Sequence, residues 1–423
     1  MNFFQKCKLI LKDTTLRNRI GFVCLMFIVF RFLSNIPIPG IDTFQLEGFL
    51  SQNQFLGVLN IFSGGGLSNM SIAMLGVGPY ITASIVMQLL TMMSSRLKAL
   101  YHEEGEIGRK KFVNISRYLT IPLAIIQGFS LIAYLRSQGI LQVASFTDLI
   151  LPITIVVAGS VLLTWIGELI TEYGIGNGLS IIIFAGIVAS LPAQISQLAF
   201  TFTKAQIPIY IAFVVVAIII IAGVVMVSEA ERPVPMTYAK TVRGSNSYGG
   251  GSTYLPLRVN QAGVMPIIFA LSIMLFPQML ATILSQVSSN AFFTSLAGWI
   301  NTFLQTQWLY ALVYFVLVVV FTYFYTAITF DPDAMATNLQ KNGAFIPGIR
   351  PGNSTSEYVG GIVGRITFFG GLFLGVIAVL PIIMQQISGI QSLAIGGTAL
   401  LIVVSVVLDI MKKVDAQITM REY

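Results

Sequence analysis

Three long stretches of this chain carry no Asp, Glu, Lys or Arg: Gly48 to Ser95, Val259 to Phe330 and Ile366 to Leu408. An α-helix rises about 1.5 Å per residue and a bilayer core is about 30 Å thick, so about 20 apolar residues cross it. Stretches of this length hold several membrane spans. Hydrophobic residues make up 55% of the 423 residues and charged residues only 10%, against about 25% charged in an ordinary soluble domain. Soluble globular and disordered classes are excluded. The chain reads as an all-α, polytopic membrane protein.

Apolar windows of about 20 residues place ten helices. The first five are Ile20–Asn35, Leu75–Met93, Ser116–Leu135, Leu149–Gly167 and Leu179–Leu198. The second five are Ile207–Val227, Ala262–Leu284, Trp308–Thr329, Gly361–Met384 and Leu393–Met411. Ile20–Asn35 is followed by Pro37 and Pro39 rather than a small-residue cleavage site, so it reads as a retained span. With both termini cytoplasmic, 21 of the 24 Lys and Arg residues fall on the inner side. Arg136 and Lys204 fall outside, and Arg31 lies near the outer end of the first span. Such asymmetry is what orients spans during insertion. The net charge of +7 is therefore mainly an orientation signal.

Catalysis finds no residues to work with. The only cysteines are Cys7 and Cys24, and the only histidine, His102, sits in a loop beside Glu103 and Glu104. That leaves no disulfide framework, no His-dependent triad and no His-rich metal site. No phosphate-binding loop sequence occurs, and the glycines at 174, 176 and 178 lack the flanking strand and acid of a dinucleotide site. They read as a turn. No cofactor, metal or catalytic residue is expected. The spans also lack the midplane charges of ion-coupled transporters. Gln88, Thr91 and Ser272 are the main polar groups in the interior.

Residues 60–71 read NIFSGGGLSNMS. This is too short and polar to span, and three successive glycines weaken any helix. Irregular backbone at membrane depth survives only inside protein or beside water. A half-helix or re-entrant piece packed in a protein interior is expected; an interfacial loop on the outer surface is the alternative. The second span opens GVGPYITA at Gly76 and the seventh GVMPIIFA at Gly263, sharing G-V-x-P-x-I-x-A at an offset of 187 residues. The same offset relates Ile20 to Ile207. Two five-span halves inserted in opposite senses are implied, as in transport proteins. They are residues 1–200 with spans one to five, and 201–423 with spans six to ten. Two long inner loops, 228–261 and 330–360, carry scattered Arg and Lys among Gly and Pro. They suit docking of a cytoplasmic partner, with contact to anionic lipid as the alternative.

Several motifs together carry a family resemblance. They are FR at Phe30 with PIPG at Pro37, FSGGGLSNMS at Phe62, and LGVGPYITASIVMQ at Leu75. WIGE at Trp165, YGIGNG at Tyr173, PL at Pro256 with VNQAG at Val259, IPGIRPG at Ile346 and GGT at Gly396 follow in order. Along essentially its whole length the chain resembles the SecY family, the channel subunits of the Sec protein-translocation complex.

The resemblance implies a clamshell of two inverted halves and an hourglass pore. The pore would be closed by a plug over 62–72, comprising Phe62, Ser63, Gly64, Gly65, Gly66, Leu67, Ser68, Asn69 and Met70. It implies a ring of Ile81, Ile85, Ile183, Ile187, Ile268 and Ile402. The first four form two i,i+4 pairs, each on one helix face; isoleucines that merely meet lipid or neighbours are the alternative. A lateral gate between spans two and seven would involve Gln88, Thr91, Asn260, Gln261 and Ser272. Secretory polypeptides would cross, and membrane segments would exit sideways; an inverted-repeat transporter of a small solute is the rival reading. Implied partners are SecE, SecG, and a SecA motor or a ribosome, with signal sequences and nascent chains as cargo. The plasma membrane, or a thylakoid membrane, is the expected location.

Docking would fall on Lys240, Arg243 and Arg350. Arg350 stands in a loop with two prolines and two glycines, which restrict the backbone and present one guanidinium. The other loop departs from the family, with Thr241, Ser245 and Asn246 where further Arg or Lys usually stand. Contact with ribosomal RNA phosphates should be correspondingly weak.

Overall fold

Asp13 starts the first helix: its carboxylate accepts the Thr15 backbone N–H at 3.0 Å, a side-chain cap for an otherwise orphan donor. Helix α1 (Thr14–Leu33) follows. A run of turns leads to α2 (Gly78–Met93), which has Pro79 in its first turn. Extended Ser94 separates it from the short α3 (Ser95–His102). Next come α4 (Gly105–Ser137), α5 (Thr147–Tyr173), α6 (Gly178–Phe200) and α7 (Ile207–Glu229). Strands β1 (Glu231–Tyr238), β2 (Thr241–Arg243), β3 (Asn246–Tyr248) and β4 (Ser252–Arg258) occupy the following loop. Helices α8 (Met265–Val287), α9 (Ala291–Gln305), α10 (Gln307–Thr329) and α11 (Pro332–Lys341) lead to β5 (Ala344–Phe345). The last two helices are α12 (Asn353–Ser388) and α13 (Gln391–Glu422). This computed structural model describes residues 12–38, 60, 63–102, 104–137, 147–200, 207–238, 241–243, 246–248, 251–287, 291–388 and 391–422.

A helix stands at each of the ten expected spans: α1, α2, α4 to α8, α10, α12 and α13. Among the described residues, five helical stretches are long and apolar enough to cross a membrane on those criteria alone, including Gly105–Arg136 and Asn353–Gln386. Several helices outrun their apolar windows. α4 begins at Gly105 rather than Ser116, and α13 runs to Glu422 rather than Met411. Hydropathy registers bilayer thickness, and a helix can continue into water beyond it. Periodicity did not reveal α9, which at 15 residues is too short to span, nor the strands.

The chain packs as two compact units. One comprises residues 1–217, 271–310 and 381–423. Within it α2 packs on α4, α4 on α5, α5 on α6, and α6 on α13, with α1 against α5 and α6. The α5–α6 corner is tight. Asn177 caps α6 by accepting the Leu179 N–H at 3.1 Å, and a Cβ on Gly178 would collide with the backbone of Gly167. The glycine turn expected there is thus a helix cap at a site of backbone contact.

The other unit comprises residues 218–270 and 311–380. In it α12 carries Gly371 against Thr322 and Gly375 against Phe315 of α10, and Phe373 meets Gly223 of α7. Small residues let membrane helices approach closely. The loop regions form an antiparallel sheet in the order β4-β1-β5. Val234, Leu257, Ile346, Val359 and Val363 make a small apolar core beneath it.

Candidate functional site

Between α1 and α2 the chain folds into a clasped, buried segment. Asn60 accepts the Ser68 N–H on its side-chain oxygen at 2.8 Å and the Gly65 N–H on its backbone oxygen at 2.8 Å. The Ser63 hydroxyl accepts the Leu67 N–H at 3.1 Å. Asn69 donates to the Asn35 side chain at 3.0 Å and the Ser34 carbonyl at 3.3 Å, and Arg31 donates to the Gly64 carbonyl at 3.1 Å. A two-way backbone link joins the segment to the end of α1: Ile38 N–H to Met70 oxygen, 2.8 Å, and Ile72 N–H to Ile36 oxygen, 3.1 Å. Polar backbone inside protein is therefore satisfied, as it must be.

The segment is a run of turns rather than a continuous helix, because Gly64, Gly65 and Met70 hold positive φ of 69°, 83° and 45°. A Cβ on Gly64 would lie 2.5 Å from the Phe30 ring and 3.1 Å from Gly186 Cα on α6. Leu67, Met70 and Met74 are fully buried in a cluster with Ile38, Leu131, Leu135 and Val156. Ser63 and Ser71 are also fully buried. An outer interfacial loop does not bury these groups, so the re-entrant expectation holds for residues 63–71. Phe62 lies outside the described residues.

All six isoleucines of the expected ring are buried. Ile81 and Ile85 lie on α2, Ile183 and Ile187 on α6, and Ile402 on α13, all in the first unit; Ile268 lies on α8 in the second. Gly186, which abuts Gly64, is the neighbour of Ile187 in sequence, so the clasped segment touches the helix that carries two of the six.

The expected gate residues are largely withdrawn from solvent. Gln88 donates to the Ser84 hydroxyl at 3.1 Å, while its side-chain oxygen is buried and accepts nothing. Thr91 donates to the Gln88 carbonyl at 2.6 Å. Ser272 is buried. Asn260 also has a buried, unsatisfied side-chain oxygen, and Gln261 is half-buried. Asn260 and Gln261 belong to the second unit; the other three belong to the first. Two further polar residues on these helices pair without having been expected: Gln127 of α4 donates to the Thr82 hydroxyl of α2 at 3.2 Å. A glutamine within the uncharged stretch 118–135 of a span was the signal for them. Arg117 of α4 also pairs with Glu168 of α5, a link between two spans that separate windows could not reveal.

Arg350 is exposed, on a loop held at both ends. β5 pairs with β1 through Thr237–Phe345 and Tyr238–Ala344, so the loop's base is fixed to the other long loop. Gly348 and Gly352 take positive φ of 84° and 103°. The Arg350 carbonyl accepts the Thr355 hydroxyl at 2.9 Å, which anchors the backbone to α12 and leaves the guanidinium free to project. Arg243 lies in β2 opposite Asn246. Lys240 falls outside the described residues.

The comparisons with known proteins agree. The SecY family model matches residues 71–411. A protein translocase subunit SecY of Halalkalibacterium halodurans is 42% identical, over 99% of each chain. A solved SecY whose plug domain is described as stabilizing the closed state of the translocation channel superposes with a TM-score of 0.64 at 18% identity, covering 95% of this chain and 92% of that one. Sec61 from a canine ribosome–channel complex superposes with a TM-score of 0.60 at 17% identity, again covering 95% and 92%.

Proposed function

The chain belongs to the SecY family, and from that premise we propose how it works as the protein-conducting subunit of a translocase. Secretory polypeptides cross the membrane through it and hydrophobic segments leave it sideways into lipid. It is a multi-pass membrane protein and not an enzyme. The observation that carries this reading is the likeness to translocase subunits over nearly the entire chain.

The seal is assigned to Ile81, Ile85, Ile183, Ile187, Ile268 and Ile402, with residues 62–70 as the plug. A polypeptide path must be wide yet impassable to ions, and branched apolar side chains achieve this by dewetting and by moulding around the chain. Burial of all six isoleucines supports the assignment, as does the contact of Gly64 with α6. The lateral gate is assigned to Gln88, Thr91, Asn260, Gln261 and Ser272. Its support is the pair of buried acceptors on Gln88 and Asn260, which a passing segment could satisfy at little cost. The two inverted halves, 1–200 and 201–423, describe chain order, whereas the compact units describe packing.

SecE, SecG and either SecA or a ribosome are the proposed partners. They supply the energy, since the chain has no nucleotide-binding loop. Arg350, Arg243 and Lys240 are the proposed docking contacts, with weak reach to ribosomal RNA. The proposed location is the plasma membrane with both termini in the cytoplasm, on the strength of the charge asymmetry. Reconstitution with SecE, SecG and SecA, scored by ATP-dependent protection of a preprotein from protease, tests the function. Uptake of a small solute by the chain alone, without preprotein transport, would instead favour a secondary transporter.

A further inference from the structure

Helix α9 has no part in the seal, the gate or the docking loops, yet its composition is unusual for a connection. It joins α8 to α10. Three residues separate it from α8, and Thr306 alone separates it from α10. Helical hydrogen bonds run on both sides of Thr306: its N–H and hydroxyl both donate to the Thr302 carbonyl, at 3.1 and 2.8 Å, and its own carbonyl accepts the Tyr310 N–H at 3.0 Å. The helix is thus tied closely to α10.

Its sequence, AFFTSLAGWINTFLQ, contains no charged residue. Phe292, Leu296 and Trp299 recur at helical spacing and are exposed, Phe292 by 69% and Trp299 by 66%. Ala297, on another face, is 2% exposed. The Trp299 and Phe303 rings stack at 5.7 Å. Trp308, in the first turn of α10, is exposed as well.

We infer that α9 lies in the lipid interface, with Phe292, Leu296 and Trp299 facing the acyl boundary. Three observations select lipid as the occupant. Both ends of the helix are tethered to spans, so it cannot leave the surface. Nine residues after Trp299, a second exposed tryptophan, Trp308, stands at the start of a span. Tryptophan concentrates at this depth because its ring is apolar while its N–H needs a polar neighbour. Most interfacial helices add Lys and Arg to engage anionic lipid. α9 has neither, so its attachment rests on apolar contact and on its two tethers. It should therefore be insensitive to lipid charge. This inference rests on the span assignment alone and stands apart from the channel reading.

Trp165, Trp299 and Trp308 are the three tryptophans of the chain. The full chain carrying Trp165→Phe and Trp308→Phe reports on Trp299 alone. In phosphatidylcholine vesicles, lipids brominated just below the headgroup should quench its fluorescence several-fold more than lipids brominated near the chain ends. Aqueous iodide should quench it weakly, and added anionic lipid or salt should change neither result. Quenching by iodide without quenching by brominated lipid would overturn the inference in favour of a water-facing helix. Quenching by neither would overturn it in favour of a helix covered by protein. Should the double variant misfold, Trp299→Phe in the otherwise natural chain must remove a shallow-quenched component, and an unchanged quenching profile would equally overturn the inference.

Discussion

Arg31 donates from Nη1 to the carbonyl oxygen of Gly64 at 3.1 Å, tying the end of the first span to the proposed plug. A hydrogen bond from a charged donor is worth about 1.5–3 kcal/mol when buried, and Arg31 is largely exposed, so about 1 kcal/mol is reasonable. Arg31→Gln should loosen the plug and raise the open fraction of the resting channel roughly five-fold. Conductance of reconstituted protein measures this; an unchanged open fraction would show that the contact does not hold the plug.

Leu67 is fully buried in the cluster under the plug. Leu67→Cys, in a chain with Cys7 and Cys24 replaced by Ser, should react with a water-soluble maleimide slowly at rest. During preprotein transport its labelling should rise about ten-fold, the equivalent of about 1.4 kcal/mol of lost protection. Equal rates in the two conditions would mean that the plug stays in place.

The isoleucine seal makes a graded prediction. Replacing Ile81, Ile85, Ile183 and Ile187 together with Ser should produce a steady ion leak. Replacing them with Val should not, because Val keeps a branched apolar wall at a cost of about 0.5–1.5 kcal/mol per site. A tight Ser variant, or an equally leaky Val variant, would remove these side chains from the seal.

Gln88 keeps a buried acceptor unsatisfied. Such a group costs about 1–3 kcal/mol, so Gln88→Leu should stabilise the closed gate. Export directed by weak signal sequences should fall about ten-fold or more, while strong signals are affected less. Ser272→Leu should act in the same direction. Unchanged stringency in both variants would point to ordinary helix packing at these positions.

Arg350 is exposed on a loop anchored by β5 and Thr355. Arg350→Glu should lower motor-driven translocation by about ten-fold or more, since it replaces an attraction to carboxylate or phosphate with a repulsion. Membrane insertion and detergent-solubilised stability should be unaffected. Arg243→Glu should have a smaller effect. The reverse ranking would move the dominant contact to the loop around Lys240 and Arg243.

The spans were legible because a bilayer imposes one requirement on each window of residues, independent of everything else in the chain. The positions of α1, α2, α4 to α8, α10, α12 and α13 follow from that requirement, and the distribution of Lys and Arg adds an expected orientation. The burial of residues 63–71 was legible for a related reason: three glycines and a polar run beside a span have few places to go. By contrast, the strands were hidden by Pro233 and Pro235, which argue against a central strand. β1 tolerates them because β5 pairs only with Thr237 and Tyr238, so the prolines stand where the strand has a neighbour on one side alone.

What tertiary structure alone decided are contacts between residues far apart in sequence. Pairing of Tyr238 with Ala344 turns two separate basic loops into one platform, and no local pattern in either loop specifies the other. Arg117 with Glu168, Gln127 with Thr82, and Gly64 against Gly186 depend in the same way on how helices are rotated and spaced. Membrane insertion depends on the apolar sum over a window and so belongs to the sequence. Rotation and spacing depend on which small and large side chains meet across each helix pair, and only the folded chain brings those side chains together.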